Sequence, residues 1–288
     1  MNKLVVFVVV MLWAQLGWAQ YDKTPNLKAN GDIQVPNADI VERTHVKERF
    51  PIQYPYVRES DLMWQKRIWR DIDLVQKANH PFYFPVEPKH GRASFASVVF
   101  DSIKAGNLIA YSPNDPMRFQ LPMYANEFED MLFQIDTVPS VIQTAEGQKT
   151  VYLPDTSELY PSDIKRLRVM EDWYFDKQRS MFEFRIIGIG FLAENRKKGG
   201  FEQKFWIYYP HARRVLSRAE NIVHGGNRAQ MFSYTTMFEK RRFDGLIVKV
   251  DNVYDRYITE FAQQQEALYE AERLKQEIIN FEQNLWEY

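Results

Sequence analysis

Apolar and polar residues alternate along Glu171–Glu194, EDWYFDKQRSMFEFRIIGIGFLAE, the strongest strand signal in the chain. The pattern predicts a β-hairpin. Trp173, Tyr174 and Phe175 close a first arm that starts near Ile164, Asp176–Ser180 form the turn, and Met181–Ala193 form the second arm. Strict alternation puts Phe182, Phe184, Ile186 and Gly188 on one face and Met181, Glu183, Arg185, Ile187 and Ile189 on the other. Beyond Ile186 both faces are apolar, which predicts a strand covered on both sides, or on one side plus a partner chain. Gly188 and Gly190 leave room for another backbone or helix to come close.

Other periodicities surround this hairpin. Ile68, Arg70, Ile72 and Leu74 alternate with Trp69, Asp71 and Asp73, predicting a half-exposed strand. Asn79-His80-Pro81 breaks it, and Phe82–Phe84 starts another extended run. Helical spacing is found over 93–105, stopped by Gly106, and over 124–133. A short strand is expected at 108–111 and a small hairpin at Val141–Thr144 and Thr150–Leu153. Strands at Phe205–Tyr209 and Leu246–Val250 flank helices from Pro210 and over 228–241. Residues 254–288 predict one long helix, with Tyr257, Phe261, Leu268, Ala271, Leu274, Ile278, Phe281 and Leu285 in a narrow apolar stripe. It packs on its own domain or on a partner helix.

These elements give an α+β fold: small mixed or antiparallel sheets with packed helices and a long C-terminal helix. The expected organisation is a leader (1–19), an extended arm (20–57), a first α+β half (58–135), a linker with the small hairpin (136–163), a second half (164–253) and the C-terminal helix (254–288). Both Trp64–Trp69 and Trp173–Arg179 set a tryptophan before a basic cluster, so the halves are related by duplication or alike by chance.

Residues 1–19 carry Lys3, an apolar stretch Leu4–Leu12 and Gly17-Trp18-Ala19 before Gln20, the plan of a cleaved secretory leader. No cysteine follows to accept a lipid, and the chain has none at all, which suits an oxidising compartment. The formal net charge is −1, from 37 basic and 38 acidic residues, and this argues against a nucleic-acid binder.

Catalytic signatures are scarce. The five histidines, His45, His80, His90, His211 and His224, show no metal-ligand spacing. Gly225-Gly226-Asn227-Arg228 lacks the spacing of a phosphate loop. Asp71 and Asp73 could form a glycosidase dyad, with aromatic residues as sugar platforms, but pairing with basic groups of an adjacent strand is the plainer expectation. At 15% aromatic, with arginines close in sequence, the chain has the composition of an assembly subunit. The candidate interface residues are Tyr54, Tyr56, Trp64, Trp69, Trp173, Tyr174, Arg179, Gly188, Gly190, Trp286 and Tyr288.

Several longer runs carry a resemblance. They are Tyr56-Val57-Arg58-Glu59-Ser60-Asp61, Trp64–Leu74, Asn79-His80-Pro81, Glu171–Ser180, Arg185–Ile189, Trp206–Pro210 and Asn280-Phe281-Glu282 with Leu285–Tyr288. Together they resemble the GldN/PorN proteins, the N components of type IX secretion and gliding motility in Bacteroidota. The resemblance implies a periplasmic protein without enzymatic activity, at the inner face of the outer membrane. It implies a large ring of many copies built with an outer-membrane lipoprotein and engaged by the periplasmic domain of an inner-membrane motor subunit. It transfers no catalytic, cofactor or metal-binding residue. The alternative is a secreted carbohydrate-binding or carbohydrate-active protein.

Overall fold

The predicted hairpin forms the middle of a seven-stranded antiparallel sheet. The computed structural model describes residues 49–89, 91–114, 119–144, 147–195, 199–222 and 231–284, with backbone alone for 134–157 and 222. All of these belong to one unit, His45–Tyr288. The leader, arm residues 20–48, His90, His224, Gly225, Gly226, Trp286 and Tyr288 lie outside the described residues.

The chain enters the sheet with β1 (Leu62–Asp73), then forms α1 (His80–Tyr83) and α2 (Phe95–Lys104). Ser94 caps α2 by accepting from the Ser97 amide, and Gly106, at φ +71°, follows its end. Two short strands, β2 (Ala110–Tyr111) and β3 (Pro122–Met123), precede α3 (Ala125–Leu132). A two-stranded ribbon follows, β4 (Phe133–Thr144) and β5 (Gly147–Glu158). The central hairpin is β6 (Ile164–Asp176) and β7 (Met181–Glu194), continued by β8 (Phe201–Tyr208). Next come α4 (Tyr209–Leu216), β9 (Glu220–Ile222), β10 (Met231–Ser233), α5 (Tyr234–Glu239) and β11 (Leu246–Val250). The described chain closes with α6 (Ile258–Phe261) and α7 (Gln265–Asn284).

The sheet order is β11-β1-β6-β7-β8-β2-β3. Strands from residues 58–135 and 164–253 therefore share one sheet, with β1 along the whole of β6. The class is α+β, but the two halves do not form separate sheets.

One face carries two apolar cores. Ile72, Leu167, Val169, Phe191 and Phe205 pack beneath α2 to α5 with Phe95, Phe100, Phe128 and Phe238. The rings of Phe95, Phe191 and Phe205 stack in series, 5.6 Å and then 4.5 Å apart. Ile68, Ile247 and Val250 pack beneath α6 and α7 with Ile258, Ala271, Leu274 and Ile278. On the opposite face Trp69, Met170, Trp206 and Tyr111 cluster with Phe119 and Tyr208.

Glu171 stands between the first two cores and is 0% exposed. Its Oε2 accepts from Arg241 Nη1 at 2.9 Å and from Trp173 Nε1 at 3.0 Å. Arg70 Nε lies 3.9 Å from Oε1, and Arg70 Nη1 donates to the Gly245 carbonyl at 2.9 Å. Burial pushes the Arg70 pKa down, opposed by the charge of Glu171.

Several expectations are corrected. A register shift opposes Met170 to Gly188 and Glu171 to Ile186, leaving Ile187 as a bulge. One extra residue inverts the faces that follow. Ile186, Ile189 and Phe191 thus share the helical core, while Gly188 turns toward Phe119. Ile68–Ile72 is buried throughout rather than half-exposed, since both faces are covered. Phe82 and Tyr83 are helical, started by Pro81 in the first turn. Of the described part of 228–241, residues 231–241, only Tyr234–Glu239 is helical; Ser233 caps it, and Met231–Ser233 pairs with β9. The C-terminal helix is interrupted between α6 and α7, where Gln264 takes φ +49°. Of the expected stripe, Ala271, Leu274 and Ile278 are buried, whereas Phe261 and Leu268 are exposed. The small hairpin extends to 12 residues in each strand.

Replacing Glu171 by Ala strands Arg70 in an apolar setting. Loss of a buried partner costs about 3–5 kcal/mol. Urea unfolding of Glu171→Ala is expected to show a loss of that size, against an unchanged midpoint for an exposed control such as Glu272→Ala.

Candidate interaction surfaces

Residues 49–57, the last part of the predicted arm, are held on their own chain. Ser217 Oγ donates to the Arg49 carbonyl at 3.2 Å, and Arg213 Nη2 donates to the Ile52 carbonyl at 2.7 Å. The Arg213 guanidinium lies 3.9 Å from the centre of the Tyr54 ring, and that of Arg185 lies 5.2 Å from it. Arg185 also donates to the Pro55 carbonyl. Glu239 Oε1 accepts from Arg213 Nε and Nη2 at 3.0 and 2.6 Å, so the buried cation is paired. A desolvated cation over a ring contributes about 2 kcal/mol. Burial pushes the Tyr54 phenol up to about 12, with Arg213 opposing and Glu239 adding to the rise.

This strap is anchored through Tyr54, and Phe50, Ile52 and Tyr56 are exposed. Arg214 and Arg218 flank the Phe50 ring at 5.9 and 5.5 Å. The expectation of an arm that is disordered or ordered by a neighbour does not hold for 49–57.

The far end of the central hairpin is aromatic. Trp64 stacks on Phe281 of α7 at 4.5 Å, and Phe182 lies 5.5 Å from both Trp64 and Trp173. Arg241 covers Trp173 at 5.0 Å and Phe184 at 4.6 Å. Lys66 joins this end to α7 through Glu277 at 2.8 Å, a bond that lowers the Glu277 pKa. The Tyr174 hydroxyl donates to Glu183 at 2.9 Å, and Arg179 approaches the same carboxylate at 3.0 Å. Burial and that hydrogen bond push the Tyr174 phenol up to about 12.

The other candidates lie inside or at the turn. Trp69 is buried against Met170 and Trp206. A Cβ on Gly188 would sit 2.5 Å from Phe119 Cζ, and one on Gly190 would sit 2.6 Å from Gln203 Nε2. The close approach that the glycines allow is therefore made within the chain. Arg179 is exposed at the hairpin turn. Sequence reasoning noted Arg185 and Arg213 near aromatics but not their shared hold on Tyr54, and it missed Glu239 and Glu171.

Asp71 accepts from Arg168 at 2.6 and 2.8 Å, and Arg168 reaches the Tyr257 hydroxyl at 3.3 Å. Burial works against the Arg168 charge, but the bonds to Asp71 outweigh it and leave the pKa raised. Asp73 lies 3.8 Å from Arg166. Both carboxylates of the postulated dyad thus face arginines of β6. Among the described residues no three His, Cys, Asp or Glu side chains converge as a metal site. A cleft of about 390 Å³ between α7 and residues 250–261 has Lys66, Arg256, Arg273, Asp251, Glu270 and Glu277 in its wall. Lys66 and Arg273 are paired there with Glu277 and Glu270, which leaves no strong excess of either sign.

The description of gliding motility associated protein GldN matches residues 57–287, which hold the whole seven-stranded sheet. The chain belongs to the GldN family. No curated protein matches it. Membership makes it a component of gliding motility and type IX secretion. The family match begins at Val57, so most of the Tyr54-anchored strap precedes it. In the described residues no helix is long and apolar enough to cross a membrane.

Raised tyrosine pKa values favour the neutral phenol in the folded chain. The resulting stability is complete below the unfolded value near pH 10 and is lost as pH rises through about 12. Absorbance titration should show late phenolates in the folded chain, one fewer in Tyr54→Phe. A second check is limited proteolysis: Arg213→Ala should free the strap, with cleavage within 49–57 at least about tenfold faster and the sheet intact.

Proposed function

We propose that the chain is a non-enzymatic structural subunit of the periplasmic ring of the type IX secretion system, and of the gliding machinery where that is present. It assembles in many copies with an outer-membrane lipoprotein. It engages the periplasmic domain of an inner-membrane motor subunit and so couples motor energy to protein export. The observation that carries this reading is the GldN family match across residues 57–287. Residues 1–19, read as a leader, support export of the mature chain across the inner membrane; in this reading it resides in the periplasm, at the inner face of the outer membrane.

The physical chemistry agrees with an assembly subunit. The strap presents Phe50, Ile52 and Tyr56, and the loop before α6 presents Val253 and Tyr254, as exposed apolar side chains. In this reading residues 20–48 form an arm that reaches a neighbouring copy.

Pull-down of the full chain from envelope membranes, followed by electron microscopy, tests the proposal. A large ring containing a lipoprotein is expected. A dispersed monomer that retains no lipoprotein would overturn it. Deleting residues 20–48 should abolish ring assembly and leave the circular dichroism of the folded part unchanged.

A further inference from the structure

The loop between β11 and α6 displays apolar side chains on a fixed frame. Val253 is 98% exposed and Tyr254 73%. Asn252 organises the turn. Its Nδ2 donates to the Val250 and Arg256 carbonyls at 2.8 and 2.9 Å, and its Oδ1 accepts from the Tyr254 and Arg256 amides, both at 3.1 Å. Asp255, at φ +53°, pairs with the buried Lys249 at 2.5 Å. A loop already ordered in this way loses little further freedom when something binds to it.

This loop forms one wall of the cleft described above, and α7 forms the other. Val250, Ile258 and Leu274 give the cleft an apolar lining, joined by Phe261, which is 50% exposed. The Arg256 guanidinium lies 4.4 Å from the centre of the Tyr254 ring and 5.8 Å from that of Phe261. Lys66 and Arg273 are paired with Glu277 and Glu270. Arg256 is exposed and pairs with no carboxylate among the described residues. Asp251, the lining acid outside these pairs, acts on Arg67. An apolar lining, exposed rings and one open guanidinium suit a segment that carries large rings and a carboxylate.

Such a segment lies in this sequence. Leu285, Trp286, Glu287 and Tyr288 set two large rings around a carboxylate. These residues do not reach the cleft of their own chain. The described part of α7 runs to Asn284, and Glu277, the lining residue nearest to that end, stands about 10 Å back along the axis. A reversal of direction takes about four residues, which is the whole segment. The same residues of a neighbouring copy are under no such constraint.

We infer that residues 285–288 of one copy dock in the cleft between α7 and the 251–257 loop of the next. Glu287 pairs with Arg256, and Trp286 and Tyr288 lie against Tyr254, Phe261 and the apolar lining. This rests on the assembly reading above and gives it a specific contact between copies. Asn252 is a positioning residue here: it meets no part of the incoming segment and keeps Tyr254 and Arg256 in place. Cleft and segment are unlike surfaces, so the contact repeated in one direction builds a ring or an open filament.

The chain has no cysteine, so disulfide trapping can be read without background. Full chain carrying Tyr254→Cys, mixed with full chain carrying Tyr288→Cys and oxidised, should give a covalent dimer, with either variant alone staying monomeric. With both substitutions in one chain a ladder of larger species is expected. A disulfide closed within that single chain would show the segment folding back, and would overturn docking between copies. As an independent measurement, Arg256→Glu should lower the assembled fraction about tenfold, and adding Glu287→Arg should restore it; failure to restore it counts against the pairing. Asn252→Ala should lower assembly with the circular dichroism unchanged. Copies that still join in Arg256→Glu while the lipoprotein is lost would give the cleft to that partner and overturn the inference. Assembly unaffected by Arg256→Glu and by removal of residues 285–288 would overturn it too and leave the ring reading standing; no assembly of the unaltered chain under any condition would remove both.

Discussion

A carboxylate in the middle of the sheet constrains much of the architecture. Glu171 is buried, and an isolated buried charge costs several kcal/mol, so its neighbours must satisfy it. They come from three places: Trp173 on the same strand, Arg70 on β1 and Arg241 just beyond α5. Arg241 takes φ +49°, an uncommon conformation for a side-chain-bearing residue, and its guanidinium also lies over the rings of Trp173 and Phe184. The network thus ties the turn after α5 to the sheet. It also stands where the core beneath α2 to α5 gives way to the core beneath α6 and α7.

The abundance of aromatic residues has a largely internal explanation. Trp69, Trp206, Phe95, Phe191 and Phe205 fill two faces of one sheet. A sheet covered on both sides needs more large side chains than a half-solvated one. Many of the arginines are internal as well: Arg70, Arg168 and Arg213 pair with acids inside the fold, and Arg213 covers Tyr54 at the same time. The apolar surface left over is narrower than composition suggests. Among the described residues it includes the strap and the loop before α6, and the rest is scattered, for example at Phe84, Leu121, Phe133 and Tyr269.

Local patterns were legible where one residue type has one dominant physical meaning. Gly106 stops α2, and the polar run after Asp176 makes the hairpin turn. Long-range pairing was not legible. Nothing around Arg213 states that it will meet Glu239 and Tyr54, residues brought together only by the packing of α4 against α5 and the strap. Glu171 looked like an ordinary polar position at the start of an aromatic run, because a buried charge and a solvated one have the same letter. The long C-terminal helix failed for a related reason. The apolar spacing continues from Tyr257 to Phe281, but Ile258 and Ala262, outside the expected stripe, are the residues that α6 buries.

The bulge at Ile187 joins the cores to the edges. In an unbulged β7 the parity of Phe184 and Ile186 would carry Gly188 and Gly190 into the helical core, where missing side chains would leave gaps. The extra residue instead gives those places to Ile189 and Phe191 and turns the glycines toward Phe119 and Trp206. A bulge also bends its strand and strengthens the local twist. β8 follows β7 up to this point and no further: its last pairing is Tyr208 with Gly188, after which Pro210 in the first turn helps start α4. Among the described strands, the length of β7 before the bulge is thereby left with β6 as its neighbour. The single insertion that lets the core close over phenylalanine and isoleucine thus coincides with the place where β8 leaves β7.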